Sequence, residues 1–476
     1  MGCPMDSNAE SLLQTLQQFL KQLRQQRPAC SKLAVGFSGG MDSHVLLHAI
    51  HQVLQLNADN AEQNPRLHRF ELRVLHINHG LSPYADAWQG HCEQISLTLN
   101  VPFLAQSVII QCKPGESLEE QARQARYKIF AEQLQPEECL LMAHHQDDQA
   151  ETLMLRLMRG AGPRGLAAMP LSRPLGKGLL WRPLLEIPRT GLQDYASACQ
   201  LQWIEDESNL DVRFDRNFVR HELFPLIAKR WPGYRQCWQR SSQLSAEADQ
   251  LNQELACIDY QLVMTDSKQQ LDGNALCALN RARQRNVIRY WLSLLGFPDP
   301  GWQVLRRCSD ELLSAAVDAQ PELIWDGHEM RRFQNRIYAF PSMPLLDKTQ
   351  TLLLTVKDLS CVEKIDLPDN GLLMFSHTHS TTGSNLLKLP DNGSLLISYR
   401  RGGEHCRLSG RRTRALKKIL HDAGVPPWLR DRLPLLCYEN QIVYIPGAGV
   451  CDGFAAPSGT TGVRLEWLPT VDSTLS

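Results

Sequence analysis

A phosphate-binding turn is indicated by six consecutive residues, Ser38, Gly39, Gly40, Met41, Asp42 and Ser43. They follow the apolar run 33–37, typical of a buried strand, and precede the run 45–50, typical of a helix. The two glycines can adopt backbone angles that are closed to other residues. Free N–H groups of the first helical turn, together with the helix dipole, attract an anion. The sequence therefore predicts that residues 38–43 bind phosphate.

Asp42 distinguishes this turn from the phosphate loop of kinases and GTPases, because no Gly-Lys-Ser/Thr follows it. A carboxylate beside a polyphosphate suits Mg²⁺, which prefers oxygen ligands and phosphate. We therefore predict that Asp42 is a magnesium ligand. The alternative is a surface turn in which Asp42 only caps the helix.

A second group of candidate residues lies in the segment AHHQDDQAET, residues 143–152. Asp147 and Glu151 are four residues apart, so on a helix they share one face. Two such carboxylates can hold magnesium, a cationic substrate, or both. Compensation of the helix dipole is the alternative for Asp147 and Asp148, although it does not account for Glu151. The two adjacent histidines lack the spacing of a zinc site.

Basic residues form two further candidate sites. Arg123 and Arg126, three residues apart, are predicted to clamp a phosphate, with a solvated charged face as the alternative. A C-terminal cluster is typical of a surface that binds nucleic acid backbones. Its members are Arg401, Arg411, Arg412, Arg414, Lys417 and Lys418. A helical stripe of Arg281, Arg285 and Arg289 indicates the same function more weakly.

Alternating strand and helix patterns position these residues. Strands are predicted at 33–37, 70–77, 103–110 and 139–143, with helices at 43–54, 85–99, 117–133 and 147–158. Ser117 and Glu120 have the spacing of a capping box. Such alternation predicts an α/β fold with a parallel sheet, whose ligands bind at the carboxyl ends of the strands. The three motifs at 38–43, 76–80 and 144–151 all fall at these ends.

Later segments differ in character. Glycines and prolines between 159 and 190 predict a long loop. Beyond Phe224 the pattern predicts helices without strands. The 4-3 spacing of Leu244, Ala248, Leu251, Leu255, Ile258 and Leu262 favours a helical-bundle face over a coiled coil. We expect three domains, 1–222, 223–345 and 346–476, of which the last is a small α+β domain.

Composition limits the class of protein. The chain has 476 residues, 43% of them apolar, and a net charge of −1, so nucleic acid must bind through local patches. Its 14 cysteines contain no CxxC pair and predict reduced thiols. We expect no membrane span, no signal peptide and a cytoplasmic location.

The quoted motifs together resemble the tRNA(Ile)-lysidine synthetase family of the PP-loop ATP pyrophosphatase superfamily, whose signature is SGGxDS. The similarity extends through HINHGL at 76–81, RGAGPRGL at 159–166, RPLL at 182–185, EDESN at 205–209 and RNFVR at 216–220. It continues in RGGE at 401–404 and GVPPWLR at 424–430. It covers most of the chain, although about 225–345 matches only in its helical character.

The resemblance implies an adenine nucleotide α-hydrolase-like catalytic domain at 1–222, followed by two tRNA-binding domains. ATP would adenylate O2 of the wobble cytidine in the CAU anticodon of tRNA(Ile), and free L-lysine would then displace AMP. Residues 38–43 would bind ATP, and Asp42, Asp147, Glu151 and Arg123 would be catalytic. His79, His144 or a carboxylate would remove a proton from lysine. A homodimer is one expected assembly.

Two other functions remain open. A tRNA-thiolating PP-loop enzyme is the nearest, although such enzymes use paired cysteines or a cluster. A tRNA-binding module with a decayed ATP site is the other, and the intact Asp42, Asp147 and Glu151 argue against it.

Overall fold

The computed structural model describes residues 7–59, 70–80, 82–108, 118–316, 319–355, 363–379, 386–390 and 392–469. Contacts divide the chain into two compact units, Met1–Leu251 and Asn252–Ser476. The domain boundaries at 222 and 345 stay predictions. Among the described residues, no helix is both long enough and apolar enough to cross a bilayer.

The first unit contains a six-stranded sheet in the order β3-β2-β1-β4-β6-β5. Its strands are β1 (Lys32–Gly36), β2 (Glu71–Asn78), β3 (Phe103–Ser107), β4 (Glu138–Leu141), β5 (Ser172–Leu175) and β6 (Gly178–Trp181). Its helices are α1 (Ser7–Gln26), α2 (Met41–Asp59), α3 (Ala85–Thr98), α4 (Leu118–Gln133), α5 (Gln146–Met158), α6 (Pro163–Leu166), α7 (Arg189–Ala198), α8 (Asp215–Phe218) and α9 (Phe224–Arg230), with α10 (Tyr234–Val263) continuing into the second unit.

The predicted parallel sheet is confirmed. Strand β1 pairs in parallel with β2 and β4, β2 with β3, and β4 with β6. Alternate residues of β1 enter different cores: Val35 packs in one cluster with α1, α2 and α7, and Ala34 in another with α4. Helices therefore cover both faces of the sheet. Ser117 of the predicted capping box lies outside the described residues.

The long loop predicted at 159–190 is only partly correct. Strands β5 and β6 form an antiparallel hairpin there, and β6 extends the parallel sheet. Its turn needs Gly176, which has a φ of +55°. A Cβ at this position would lie 2.0 Å from the carbonyl oxygen of Ala131. Glycine and proline in this segment therefore mark a hairpin packed against α4.

The second unit begins with helices, as predicted, namely the end of α10, α11 (Gly273–Ala278), α12 (Arg281–Leu294) and α13 (Gly301–Arg307). The expectation of no strands in this region is wrong. Strands β7 (Gln270–Asp272), β8 (Glu322–Trp325), β9 (His328–Phe333) and β10 (Arg336–Pro341) form an antiparallel sheet in the order β7-β10-β9-β8. It shares one core with α12.

The remainder is rich in antiparallel strands, in agreement with the α+β prediction. Its strands are β11 (Leu352–Thr355), β12 (Lys364–Leu367), β13 (Gly371–His379), β14 (Ser394–Ser398), β15 (His405–Cys406), β16 (Arg414–Ala415), β17 (Leu435–Tyr438), β18 (Gln441–Ile445), β19 (Gly449–Val450) and β20 (Thr461–Leu468). Two short helices, α14 (Leu416–Asp422) and α15 (Pro427–Arg430), lie among them.

Trp428 joins the two parts of the second unit. Its ring lies 5.2 Å from that of Tyr338 and 5.8 Å from that of Phe340, between ring centroids. Phe333 is also in aromatic contact, and the Arg331 guanidinium lies over the indole. Helix α15 is therefore packed on strands β9 and β10.

Helix α10 carries the residues with 4-3 spacing, and the preference for a bundle face is wrong. Leu244, Leu251, Ile258 and Leu262 are between 58% and 65% exposed, and Leu255 is 36% exposed. These five side chains, with the half-buried Ala248, form a stripe along one helix.

Candidate active site

The turn at 38–43 connects β1 to α2 as predicted. Gly39 has a φ of +86°, and a Cβ there would lie 2.9 Å from Cys92 Sγ. The hydroxyl groups of Ser38 and Ser43 lie 3.1 Å apart, and Ser43 Oγ donates to the carbonyl of Gly40 at 2.9 Å. Glycine is thus required by both conformation and space, and the serines hold the turn in one shape.

The end of β2 lies beside this turn. His76 is buried, and its Nδ1 lies 2.8 Å from the carbonyl oxygen of Phe37. Asn78 donates to Asp86 at 3.1 Å and accepts from the backbone N–H of Gly80 at 2.9 Å. These two side chains therefore support the backbone at the sheet edge.

His145 connects the turn to the segment after β4. It is 1% exposed, and its Nε2 lies 3.5 Å from Asp42 Oδ2. Burial alone would lower the pKa of His145, but the Asp148 and Asp42 carboxylates outweigh it and raise that pKa. The structure thus brings together the two motifs that the sheet topology placed at one edge.

The acidic residues of α5 are paired with arginines that follow later in the chain. Asp147 Oδ1 accepts from Arg235 Nε at 2.5 Å, and Asp147 Oδ2 accepts from the backbone N–H of Arg189 at 3.1 Å. Arg216 bridges two carboxylates, with Nε 2.7 Å from Glu151 Oε2 and Nη2 2.9 Å from Asp148 Oδ1. A positive group therefore already lies between Asp148 and Glu151.

These arginines were missing from the predicted site. Arg216 and Arg220 are four residues apart, a spacing that places both on one helical face. Asp148, for which dipole compensation was the alternative and which was not among the predicted site residues, contacts His145 as well as Arg216. The neighbouring arginine and histidine charges hold its pKa far below the usual range despite burial. Asp148 is therefore ionised and belongs to the site.

His79 and His144, the predicted bases, are both held neutral. Burial, Arg126 and His76 lower the pKa of His79 to about 4. Burial lowers that of His144 to about 3, with Arg182 and Arg216 adding to it and Asp148 opposing it. Proton transfer from an ammonium group with a pKa of about 10.4 to such weak bases is strongly unfavourable. In this arrangement neither histidine is suited to deprotonate lysine.

Arg123 and Arg126 lie on α4 and belong to a basic group around Tyr127. The guanidinium carbons of Arg123 and Arg173 lie 5.4 Å and 5.0 Å from its ring centroid. Burial raises the pKa of Tyr127, but Arg182 and Arg123 outweigh this and lower it. The charge of Arg126 contributes to the lowered pKa of His79, and the charge of Arg123 contributes to the lowered pKa of His144. Both predicted phosphate-clamping arginines therefore lie within electrostatic range of the sheet edge.

A magnesium ion fits Asp42 in one respect. Its Oδ1 is buried without a hydrogen-bond partner among the described residues, so an acceptor is available. No group of three or more His, Cys, Asp or Glu side chains in the described ranges could hold a metal. Phosphate oxygens would have to supply the remaining ligands, as is usual for Mg²⁺.

The C-terminal basic cluster is exposed. All six predicted residues are accessible: Arg401, Arg411, Arg412, Arg414, Lys417 and Lys418. Arg414 pairs with Asp422 at 2.7 Å. Three of the arginines, 411, 412 and 414, line a shallow pocket of about 180 Å³. The surface thus carries several positive charges with little local compensation.

The arginine stripe on α12 differs from this cluster. Arg281 pairs with Asp310 at 2.8 Å, and Arg289 pairs with Asp299 at 3.0 Å. Arg285 lies over the Trp302 ring, 4.7 Å from its centroid. Since two of the three charges are paired, this stripe is a weaker candidate for binding phosphate.

Family models match three parts of the chain. A PP-loop domain matches residues 9–227, a TilS substrate binding domain residues 271–338, and a TilS substrate C-terminal domain residues 395–467. The first range contains the phosphate turn and the paired acidic segment, and the last contains the basic cluster.

Full-length relatives agree with these models. A tRNA(Ile)-lysidine synthase of Coxiella burnetii is 38% identical over 441 residues, covering 92% of this chain and 94% of the relative. One of Serratia proteamaculans is 37% identical, covering 94% and 98%. One of Pseudomonas aeruginosa is 39% identical, covering 91% and 93%. The chain therefore belongs to the tRNA(Ile)-lysidine synthase family of PP-loop ligases.

Proposed function

We propose that this enzyme ligates free L-lysine to C2 of the wobble cytidine of tRNA(Ile) with a CAU anticodon. In the first step ATP adenylates O2 of the cytidine and releases diphosphate. In the second step the amine of lysine attacks C2, and AMP leaves with the oxygen. The observation that carries the proposal is the 3.5 Å contact between His145 and Asp42, which joins the phosphate turn to the acidic segment.

Residues 38–43 are the proposed binding site for the phosphates of ATP. The positive φ of Gly39 and the hydrogen bond between the Ser38 and Ser43 hydroxyl groups support this, because they hold the turn between β1 and α2 in one shape. Backbone N–H groups at the start of α2 would stabilise charge on the departing diphosphate. Mg²⁺ at Asp42 would neutralise negative charge on the phosphates. Arg123, with Arg126 beside it, is proposed to contact the α-phosphate or the carboxylate of lysine.

Asp147 and Glu151 remain the residues proposed to bind the ammonium groups of lysine, and we add Asp148 to this proposal. Arg216 and Arg220 already pair with Glu151, so an incoming ammonium group would share or displace a guanidinium. Glu151 is fully buried, which makes Asp147 and Asp148 the more accessible carboxylates. Desolvation in such a site would favour the neutral amine, although the carboxylates oppose this.

Arg401, Arg411, Arg412, Arg414, Lys417 and Lys418 are the proposed contacts to the tRNA backbone. Their exposure supports this, since phosphate contacts come mainly from accessible Lys and Arg side chains. We place the reaction in the cytoplasm, where the tRNA substrate is found.

A homodimer is proposed for the assembly. The exposed stripe on α10 supports it, because residues with 4-3 spacing pack best against a helix with the same spacing. From Leu244 to Leu262 the stripe is about 27 Å long at a rise of roughly 1.5 Å per residue. As for any reversible association, we expect the dimer to depend on protein concentration.

The proposal is tested by incubating the enzyme with ATP, radiolabelled lysine and an unmodified tRNA(Ile) transcript with the CAU anticodon. We expect lysine to be incorporated with release of AMP and diphosphate. The matched control is the same transcript with uridine at the wobble position, which should take up no lysine. Incorporation of sulfur from a sulfur donor, release of ADP, or binding without turnover would each contradict the proposal.

A further inference from the structure

We propose that His145 is a positioning residue: it holds one carboxylate oxygen of Asp42 and leaves the other available to the nucleotide and its metal. This rests on the proposed function, in which the phosphate turn binds ATP. The supporting observations are the fixed orientation of the imidazole, its contact with Asp42, and the unpartnered second oxygen of that carboxylate.

The imidazole of His145 is fixed by a helix cap. Its Nδ1 accepts from the backbone N–H of Asp148 at 3.4 Å, and Asp148 Oδ2 accepts from the backbone N–H of His145 at 3.0 Å. This reciprocal pair is a capping box at the start of α5. Because the side chain is also 1% exposed, it cannot rotate without breaking the cap.

The cap determines which ring nitrogen faces Asp42. Since Nδ1 accepts a hydrogen bond, the neutral ring carries its proton on Nε2. That nitrogen lies 3.5 Å from Asp42 Oδ2 and 3.5 Å from Asp148 Oδ2. The capping interaction at the start of α5 therefore points the Nε2–H group of His145 towards the Asp42 carboxylate on α2.

The two oxygens of Asp42 differ in consequence. Oδ2 faces His145, whereas Oδ1 is buried and has no hydrogen-bond partner among the described residues. A buried, unpartnered carboxylate oxygen is unfavourable unless a cation or donor reaches it. The contact with His145 thus reserves Oδ1 for a partner that arrives with the substrates.

The Asp148 carboxylate links the contact between His145 and Asp42 to the rest of the site. Asp148 shares Nε2 of His145 with Asp42, and Asp148 is in turn bridged to Glu151 by Arg216. The chain of contacts runs from the phosphate turn to the buried acidic residue. His145 therefore also connects the proposed ATP and lysine sites.

Two substitutions separate the capping role of His145 from its positioning role. His145→Asn keeps an N-capping group at the position of Nδ1 but is too short to reach Asp42. His145→Gln is long enough to place an N–H donor where Nε2 lies, but Gln is not a favoured N-cap residue. A purely structural role predicts that Gln is the more damaging change, and a positioning role predicts that Asn is.

The variants are compared with the wild type in lysine incorporation, Mg·ATP binding by calorimetry and urea unfolding. For His145→Asn we expect an unchanged unfolding midpoint, a 10- to 100-fold lower kcat, as is typical when a supporting side chain is lost, and weaker Mg·ATP binding. His145→Gln should lower the unfolding midpoint and recover most of the rate lost in the Asn variant. A double-mutant cycle with Asp42→Asn should show non-additive effects on Mg·ATP affinity.

Several outcomes would overturn the inference. They are an Asn variant with wild-type kcat and Mg·ATP affinity, additive effects of the two substitutions, or a rate loss that follows the unfolded fraction in both variants. An inactive wild type would instead reject the proposed function. The two failures are therefore distinguishable.

Discussion

Arg220 binds both carboxylate oxygens of Glu151, with Nε 2.6 Å from Oε1 and Nη2 3.1 Å from Oε2. Glu151 is fully buried, and its pairing with Arg220 and Arg216 fixes the segment that contains these arginines against α5. This cluster gives Glu151 a structural function whether or not it contacts lysine.

The first prediction concerns Glu151→Gln, which removes the charge that balances two partly buried arginines. Loss of one partner of a buried ion pair usually destabilises by several kcal/mol, so we expect a loss of about 3 kcal/mol. Urea unfolding measures it, and Glu247→Gln at an exposed position of α10 is the control. Wild-type stability combined with weaker lysine binding would instead mean that Glu151 acts on the substrate directly.

The second prediction concerns Asp42→Asn. The substitution preserves shape and removes the negative charge, so turnover should be abolished while tRNA affinity stays within a few fold. Single-turnover assays and filter binding measure the two effects. If tRNA binding were lost as well, Asp42 would be a structural residue of the turn.

The third prediction concerns the C-terminal basic cluster. Replacing Arg411, Arg412 and Arg414 by Gln should weaken tRNA binding and reduce its dependence on salt, because fewer counterions are released. The matching control replaces Arg281, Arg285 and Arg289, which mostly have partners within the chain and should alter the salt slope less. Equal slopes for the wild type and the first variant would exclude this cluster from the interface.

The fourth prediction concerns acid stability. Burial, with smaller effects of His44 and His51, lowers the pKa of His48 to about 4, and its Nδ1 lies 3.0 Å from Tyr195 Oη. Between pH about 6.5 and 4 the unfolded chain therefore binds more protons, so stability falls as pH falls. His48→Gln should reduce this slope by at most about 1.4 kcal/mol per pH unit, the value for one proton. Unfolding free energies at several pH values test it, and an unchanged slope would contradict it.

The fifth prediction concerns the α10 stripe. Ile258→Lys should shift the enzyme from dimer to monomer, because a charge in an apolar seam is left without water or a partner. Gln261→Lys, on an exposed position of the same helix, should leave the association unchanged. Sedimentation over a range of concentrations distinguishes the two. A monomeric wild type at all concentrations would exclude self-association through α10.

The sequence predicts the parallel sheet well because its strands are continuous apolar runs between turns. The hairpin of β5 and β6 was missed because its glycines and prolines are equally typical of an irregular loop. The sheet of the second unit was missed for another reason. Arg331 and Arg332 interrupt β9, which therefore lacks an apolar run, and β10 has an apolar run of only four residues, 337–340.

The site is predicted only as far as topology determines it. The carboxyl ends of neighbouring strands must meet, and this places the phosphate turn beside the segment after β4. The partners of the acidic residues come from much later in the chain: Arg216 follows Glu151 by 65 residues, and Arg235 follows Asp147 by 88. No local pattern specifies such pairs, because they result from how α8 to α10 return to α5.

The contact of Trp428 with the rings of β9 and β10 has a consequence for avidity. Since α15 is fixed on these strands, the basic cluster and the arginines of α12 belong to one body. A tRNA that has engaged one surface would meet the other at a high effective concentration, without the entropy loss of a second encounter. Weak contacts on each surface would then be enough for tight binding of a molecule large enough to span both.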